Sequence, residues 1–182
     1  MRRHKGFSLI EVLVALLLTT VGVLGMVALQ SKGIRYTQDA INRNNAASLT
    51  NDLIEIMRQY PDEFWEDNYN RLRNTTALFS ASGGLLIDED SCDDDPQNLA
   101  EHAGCWVQRM ESTLPGGATD AVKGQIKICP SFMLDGNGVI ECAGGNFMGS
   151  SMGILLAWEV LKGECMDGSD GTVCTYQTRI EL

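Results

Sequence analysis

The sequence predicts an α+β chain in which one long N-terminal helix, first membrane-spanning and then amphipathic, packs against a small antiparallel sheet head stapled by disulfides. Three observations carry this expectation. No charged residue occurs from Val12 to Leu29, and no proline interrupts the chain before Pro61. All six cysteines, Cys92, Cys105, Cys129, Cys142, Cys165 and Cys174, lie in the second half of the 182 residues. The last third alternates apolar and polar residues with the two-residue period of strands.

At about 1.5 Å per residue, a helix from Phe7 to Leu29 is long enough to cross a hydrocarbon core. Arg2, Arg3 and Lys5 precede it. The positive-inside rule keeps those charges cytoplasmic and places the remainder outside the inner membrane. A conventional signal peptide fits poorly, because its apolar core is only about 7 to 15 residues and ends in a small-x-small site. Here Met26 stands where a small residue is needed. Beyond the apolar run, Ile34, Ile41, Leu49, Leu53, Ile56, Met57 and Tyr60 keep mostly helical spacing, so a single helix from Phe7 to Tyr60 is expected, stopped by Pro61. Gly22, Gly25 and Gly33 are the points where it would most easily bend or melt. The resulting partition is a basic leader at 1–6, an apolar helix at 7–30, its amphipathic continuation at 31–60, a connecting region with a second helix at 61–124, and the sheet head at 125–182.

One residue conflicts with a plain membrane anchor. Glu11 sits inside the apolar run, where an acid is disfavoured by at least about 2.5 kcal/mol even on the gentlest insertion scales. It needs a compensating positive charge.

The formal net charge is −10. Without the first six residues, 11 Lys and Arg would face 24 Asp and Glu, a surface that repels phosphate backbones and argues against a nucleic-acid partner. Six cysteines allow 15 connectivities. The nearest-neighbour set, Cys92–Cys105, Cys129–Cys142 and Cys165–Cys174, is favoured because each bond closes one loop or hairpin. An even number of cysteines beyond a membrane segment fits an oxidising compartment. A zinc site lacks any CxxC or Cys/His cluster of ligand spacing.

Within the head, "DEFWEDNYNRLRN" leads the chain out of the long helix and carries no readable function. A second helix is expected from about Pro96 to Leu114, with Leu99, Ala103, Trp106, Val107, Met110 and Leu114 on one face and "LPGG" as its stop. Trp106 and Trp158 are expected in the core. "QIKICPSFML" reads as a strand with Ile126, Ile128, Phe132 and Leu134 on one face, and "DGNG" as a turn before "VIEC". "ILLAWEVL" alternates similarly. "CTYQTRIEL" sets Tyr176, Thr178, Ile180 and Leu182 opposite Thr175, Gln177, Arg179 and Glu181. Cys165 and Cys174 close the last hairpin around "MDGSDGTV".

Three motifs invite chemistry without supporting it. "GSSMG" matches the G-x-S-x-G elbow with Ser151 as nucleophile, but a strand follows where a helix is required, and His102 is the one histidine left after leader removal. "DEDSCDDD" reads as a solvated loop pinned by a disulfide, although calcium or a basic partner would also suit its acids. "LDGNGVIE" echoes a calcium loop, yet Met133 and Gly144 occupy the first and closing ligand positions. No catalytic residue, metal or cofactor is expected.

A short basic leader ending in Gly6, followed by "FSLIEVLVALLL", resembles the class III signal sequence of type IV pilins and type II secretion pseudopilins. The resemblance covers residues 5 to 30 and rests on Gly6, Phe7 and Glu11; beyond, it is architectural. It implies that a prepilin peptidase cuts after Gly6 and methylates the new amine of Phe7. It also implies that Glu11 acts in assembly, paired with that amine on its own or a neighbouring subunit. Ala28 and glycines stand where many major pilins have a proline, so no proline kink is implied. "CWVQRMESTLPGG" followed by "GQIKI" is similar to PilV-type minor pilins. That similarity implies a structural subunit, anchored in the inner membrane with its head in the periplasm and then built into the extracellular pilus. Its partners would be other minor pilins, the major pilin and a tip adhesin, in pilus priming, twitching motility and adhesion. A type II secretion pseudopilin shares the same leader. A membrane-anchored extracytoplasmic enzyme would need Ser151, and a DNA-uptake pilin would need basic patches.

Overall fold

The computed structural model describes residues 8–66, 71–73, 76–131, 133–143, 149–166 and 171–182. The chain divides into two compact units, Met1–Gln38 and Asp39–Leu182. Helix α1, Leu9–Gln59, is continuous through Gly22, Gly25 and Gly33. Pro61 opens the one-turn helix α2, Pro61–Phe64, at the position where its missing N–H leaves no bond unmade.

In the first unit every described residue, from Ser8 to Gln38, is exposed. In the second, α1 buries Asp39, Ala46, Leu49, Thr50, Leu53, Ile54 and Met57. Those positions recur at three or four residues and form one stripe. Leu49, Leu53 and Met57 are core as expected, and Ile56 and Tyr60 pack half-buried against it. Ile34 and Ile41 do not belong to it, being 60% and 52% exposed. Ile34 precedes the unit that holds the core, and Ile41 lies two residues from Asp39, on the opposite side of the helix.

Helix α3, Leu99–Thr113, starts three residues later than Pro96 because Asn98 caps it: the Asn98 side chain accepts from Glu101 N. The Glu101 carboxylate in turn accepts from Gln97 N at 2.6 Å, a reciprocal arrangement that satisfies two donors at the helix start. Leu99, Ala103, Trp106, Val107, Met110 and Leu114 are all buried. Helix α4, Asp120–Lys123, is a single turn capped by Thr119.

The main sheet has the order β1-β4-β5, all antiparallel, from β1 Lys127–Pro130, β4 Ser151–Glu159 and β5 Val173–Glu181. Strands β2 Met133–Leu134 and β3 Ile140–Glu141 form a separate hairpin. The single strand expected over "QIKICPSFML" is therefore broken. Pro130 ends β1, and the buried Ser131 turns the chain, its hydroxyl donating to the Glu141 carbonyl at 2.6 Å. Leu134, expected inward, is 45% exposed. Phe132 lies outside the described residues. "DGNG" does turn the chain: Asp135 Oδ1 accepts from Asn137 N and Val139 N, and Gly138 adopts φ 78°.

Strand β4 departs from alternation, for Met152 through Trp158 are all buried. It is the central strand, and both of its faces are covered. Ile154, Leu156 and Trp158 join the main core, whereas Leu155 packs with Cys129 and the hairpin residue Ile140 on the other side. A side chain at Gly153 would meet Ile140 Cγ2 at 2.6 Å, so the hairpin's seat requires glycine there. On β5, Tyr176, Ile180 and Leu182 pack half-buried against the core while Arg179 and Glu181 stay exposed.

Disulfides join Cys92 to Cys105, Cys129 to Cys142 and Cys165 to Cys174. They respectively fasten the acidic loop to α3, β1 to the segment after β3, and the start of β5 to the loop before it. The first contact is close, since a side chain at Gly104 would meet the Ser91 backbone at 2.5 Å.

Candidate functional site

Gly6 and Phe7 lie outside the described residues. From Ser8 onward the helix start is defined: the Ser8 carbonyl accepts from Glu11 N at 3.0 Å and from Val12 N at 3.3 Å. Glu11 thus stands in the first turn of α1, where the partial positive charge of the unpaired N–H groups favours an acid. No ion pair joins it to a described residue.

Around Glu11 the helix presents apolar surface on every side, with Leu9 79%, Ile10 68%, Leu13 57% and Val14 52% exposed. Thr19 and Thr20 donate to the carbonyls of Leu16 and Leu17 at 2.9 and 2.8 Å, so these two hydroxyls are satisfied within the helix, as a medium without water requires. The segment is long and apolar enough to cross a membrane.

In the second unit one acid of α1 is buried. Asp39 is 2% exposed, and its Oδ1 accepts from Trp158 Nε1 at 3.0 Å while Oδ2 accepts from Met166 N at 3.0 Å. Arg43 Nε lies one turn on, 3.7 Å from Oδ2, with its guanidinium 5.9 Å from the Trp158 ring centre. Trp106 Nε1 donates to the Leu49 carbonyl at 2.7 Å. Two tryptophans thereby fix α3 and β4 to the helix through their one polar atom. Sequence reasoning placed both in the core but missed Asp39. Its signal was an acid on the apolar stripe with an arginine four residues later.

A third charged group gathers at the acidic loop. Asp88 and the single 3₁₀ turn Glu89–Ser91 approach α3, where the Glu111 side chain is 4% exposed and Lys123 Nζ lies 2.5 Å from its Oε1. Burial by itself would raise the Glu111 pKa, but hydrogen bonds from Glu89 and Lys123 outweigh it and the value falls below the usual carboxylate range. Glu89 moves the other way, raised mainly by its hydrogen bond with Glu111 and by that neighbour's charge. Lys123 is raised by its hydrogen bond to Glu111. Among the described residues no three His, Cys, Asp or Glu converge on a metal position.

The would-be hydrolase motif is used structurally. Ser151 begins β4 and its hydroxyl donates to the Ser131 carbonyl at 2.8 Å. His102 lies on α3 against the Tyr60 ring, 5.8 Å between centres.

A family model described as the prokaryotic N-terminal methylation motif matches residues 1–27. No curated protein and no solved structure matches the chain. The matched motif supports a type IV pilin-like protein and implies processing by a prepilin peptidase; together with the apolar α1 it fits a membrane-anchored protein.

Proposed function

We propose that this chain is a minor pilin of a type IV pilus, of the PilV type, that joins other minor pilins and a tip adhesin to prime polymerisation of the major pilin. The observation that carries the proposal is an acid, Glu11, in the first turn of an all-round exposed apolar helix inside an N-terminal methylation motif. Cleavage after Gly6 would create a cationic amine on Phe7. In a bundle of such helices, where water is scarce, that amine is the charge a carboxylate needs, because an unpaired ion there is strongly disfavoured. Pairing Glu11 with the Phe7 amine of a neighbouring subunit sets the register of the incoming helix. The head then supplies lateral contacts and no reaction is catalysed.

Mass spectrometry of the mature protein tests the processing step. A chain beginning at methylated Phe7 is expected, and one beginning at Met1 or near Leu29 would sink the proposal. Gene deletion tests the system served: loss of surface pili and of twitching is expected, whereas normal pili with secreted enzymes retained in the periplasm would assign the chain to type II secretion.

A further inference from the structure

Where the acidic loop meets α3, a buried acid faces another acid. Glu111 lies near the end of α3 with its side chain 4% exposed. Lys123, from the single turn α4, supplies one counter-charge, its Nζ 2.5 Å from Oε1. The second oxygen, Oε2, is fully enclosed, and no donor that the fold holds fixed among the described residues reaches it. A buried acceptor left in that state is strongly disfavoured.

The side chain that does reach Glu111 is Glu89, from the 3₁₀ turn Glu89–Ser91 of the acidic loop. An ionised carboxylate only accepts, so Glu89 can hydrogen-bond a second carboxylate only by carrying a proton. That proton is part of the contact. Packing keeps the turn within reach: Gly104 lets the loop backbone lie directly on α3, where a side chain would meet Cys92 N at 2.6 Å. The Cys92–Cys105 bond ties the residue after the turn to the same helix.

The charged groups facing the pair set its balance. Lys123 favours the ionised form of both acids, whereas Asp90 disfavours it at Glu89 and Asp88 disfavours it at Glu111. Asp120, on α4, stands beside Lys123 and helps to keep it charged. No third acid converges on these two among the described residues, so the cation that fits between them is a proton.

We infer that Glu89 and Glu111 form a one-proton latch, which docks the acidic loop on α3 and lets the 3₁₀ turn lift when that proton is lost. The disulfide keeps the lifted turn tethered. The direction follows from the two titrations. Glu89 is raised, first by its hydrogen bond with Glu111, so the latch holds below the ordinary carboxylate range and opens as pH rises through the raised value. Burial pushes Glu111 up, yet hydrogen bonds with Glu89 and Lys123 bring it below its ordinary value. It therefore stays ionised towards Lys123 until pH falls through that lowered value, where the latch fails a second time. Between the two steps the pair holds one proton as a unit. The inference does not rest on the pilus reading.

The test follows amide exchange in the full chain in non-ionic detergent, each rate divided by that of an unstructured amide at the same pH. The Ser91 and Cys92 N–H groups close the turn, donating to the Asp88 and Glu89 carbonyls at 3.3 and 3.1 Å. Between about pH 5 and about pH 8 their protection should fall by about tenfold or more in the parent. Glu89→Gln carries a permanent donor, so its protection should vary by less than about twofold over the same range. Glu89→Ala has no donor and should show the parent's weak, high-pH protection throughout. Glu89 is exposed, so neither change disturbs the core. The inference is overturned by a parent whose protection is constant with pH or already absent at about pH 5. It is equally overturned if Glu89→Gln keeps the parent's pH dependence, which would place the response in a neighbouring acid.

Discussion

Of the four acids on helix α1, Glu11 in the first unit and Asp39, the one buried in the second, are treated oppositely. Asp39 is enclosed by groups of its own chain, accepting from Trp158 and Met166 with Arg43 alongside. Glu11 has apolar surface around it and no ion-pair partner among the described residues. A charge whose partners are all internal stabilises one folded unit. A charge left unpaired in an apolar setting instead implies a partner supplied by processing or by another molecule, because the cost of leaving it bare is too large.

The largest effect expected from this contrast concerns assembly. Glu11→Gln keeps the side chain's size and removes its charge; surface pili should fall by about tenfold or more, while head stability should stay within about 0.5 kcal/mol of the parent. Sheared-pilus immunoblots and thermal unfolding read the two quantities. Equal loss in both would break the contrast. Asp39→Ala should do the reverse at the level of the monomer. It strands two buried donors and a nearby guanidinium and should cost about 3 to 4 kcal/mol by urea unfolding, as for a buried charged hydrogen-bond acceptor removed without replacement.

The fold was legible in the sequence wherever a pattern had one physical cause. The apolar run, the absence of proline before Pro61, and the one-faced spacing of Leu99, Ala103, Trp106, Val107, Met110 and Leu114 led to α1 and α3. Patterns failed where tertiary context adds a second cause. Strand β4 loses its alternation because the β2–β3 hairpin covers the face that would otherwise meet water. "QIKICPSFML" breaks because Ser131 has carbonyl partners in two directions, Met133 and Glu141. Of the candidate site, the leader and Glu11 were legible because a local motif specifies them. Asp39 was not, since its partners lie 119 and 127 residues away along the chain.

Two smaller perturbations sharpen the contrast within the backbone itself. Cys165 and Cys174 close a short loop whose Met166 N–H is bonded to Asp39. Replacing both by Ser should cost about 2 to 3 kcal/mol, mainly by freeing the unfolded chain, and should speed amide exchange at Met166. Glycine-to-alanine changes should then differ in sign between the units. At Gly153 the added methyl meets Ile140 and should cost about 1 to 2 kcal/mol by overpacking. At Gly22 nothing lies within 4 Å, so alanine should be neutral or favour the helix by up to about 1 kcal/mol. Circular dichroism melts of the two variants compare them directly, and a loss at Gly22 equal to that at Gly153 would contradict the view that the first unit has no internal packing to disturb.

The smallest effects lie in the titration of the head's exposed acids, which again move in opposite directions. Asp135 is held below its usual value by the backbone N–H of Val139 and then that of Asn137. A depressed folded value contributes stability above the unfolded pKa that is lost as pH falls through the folded one, so acidification should loosen the "DGNG" turn and quicken exchange of the Val139 amide. Asp135→Asn should remove most of that pH dependence. Glu89 is raised, chiefly by its hydrogen bond with Glu111, so its contribution is present below the unfolded pKa and fades as pH rises through the folded one. Carboxyl titrations followed by NMR should place the Asp135 inflection below the ordinary carboxylate range and that of Glu89 above it. The reverse order would mean that neither the turn nor the contact between the acidic loop and α3 is held by the hydrogen bonds described.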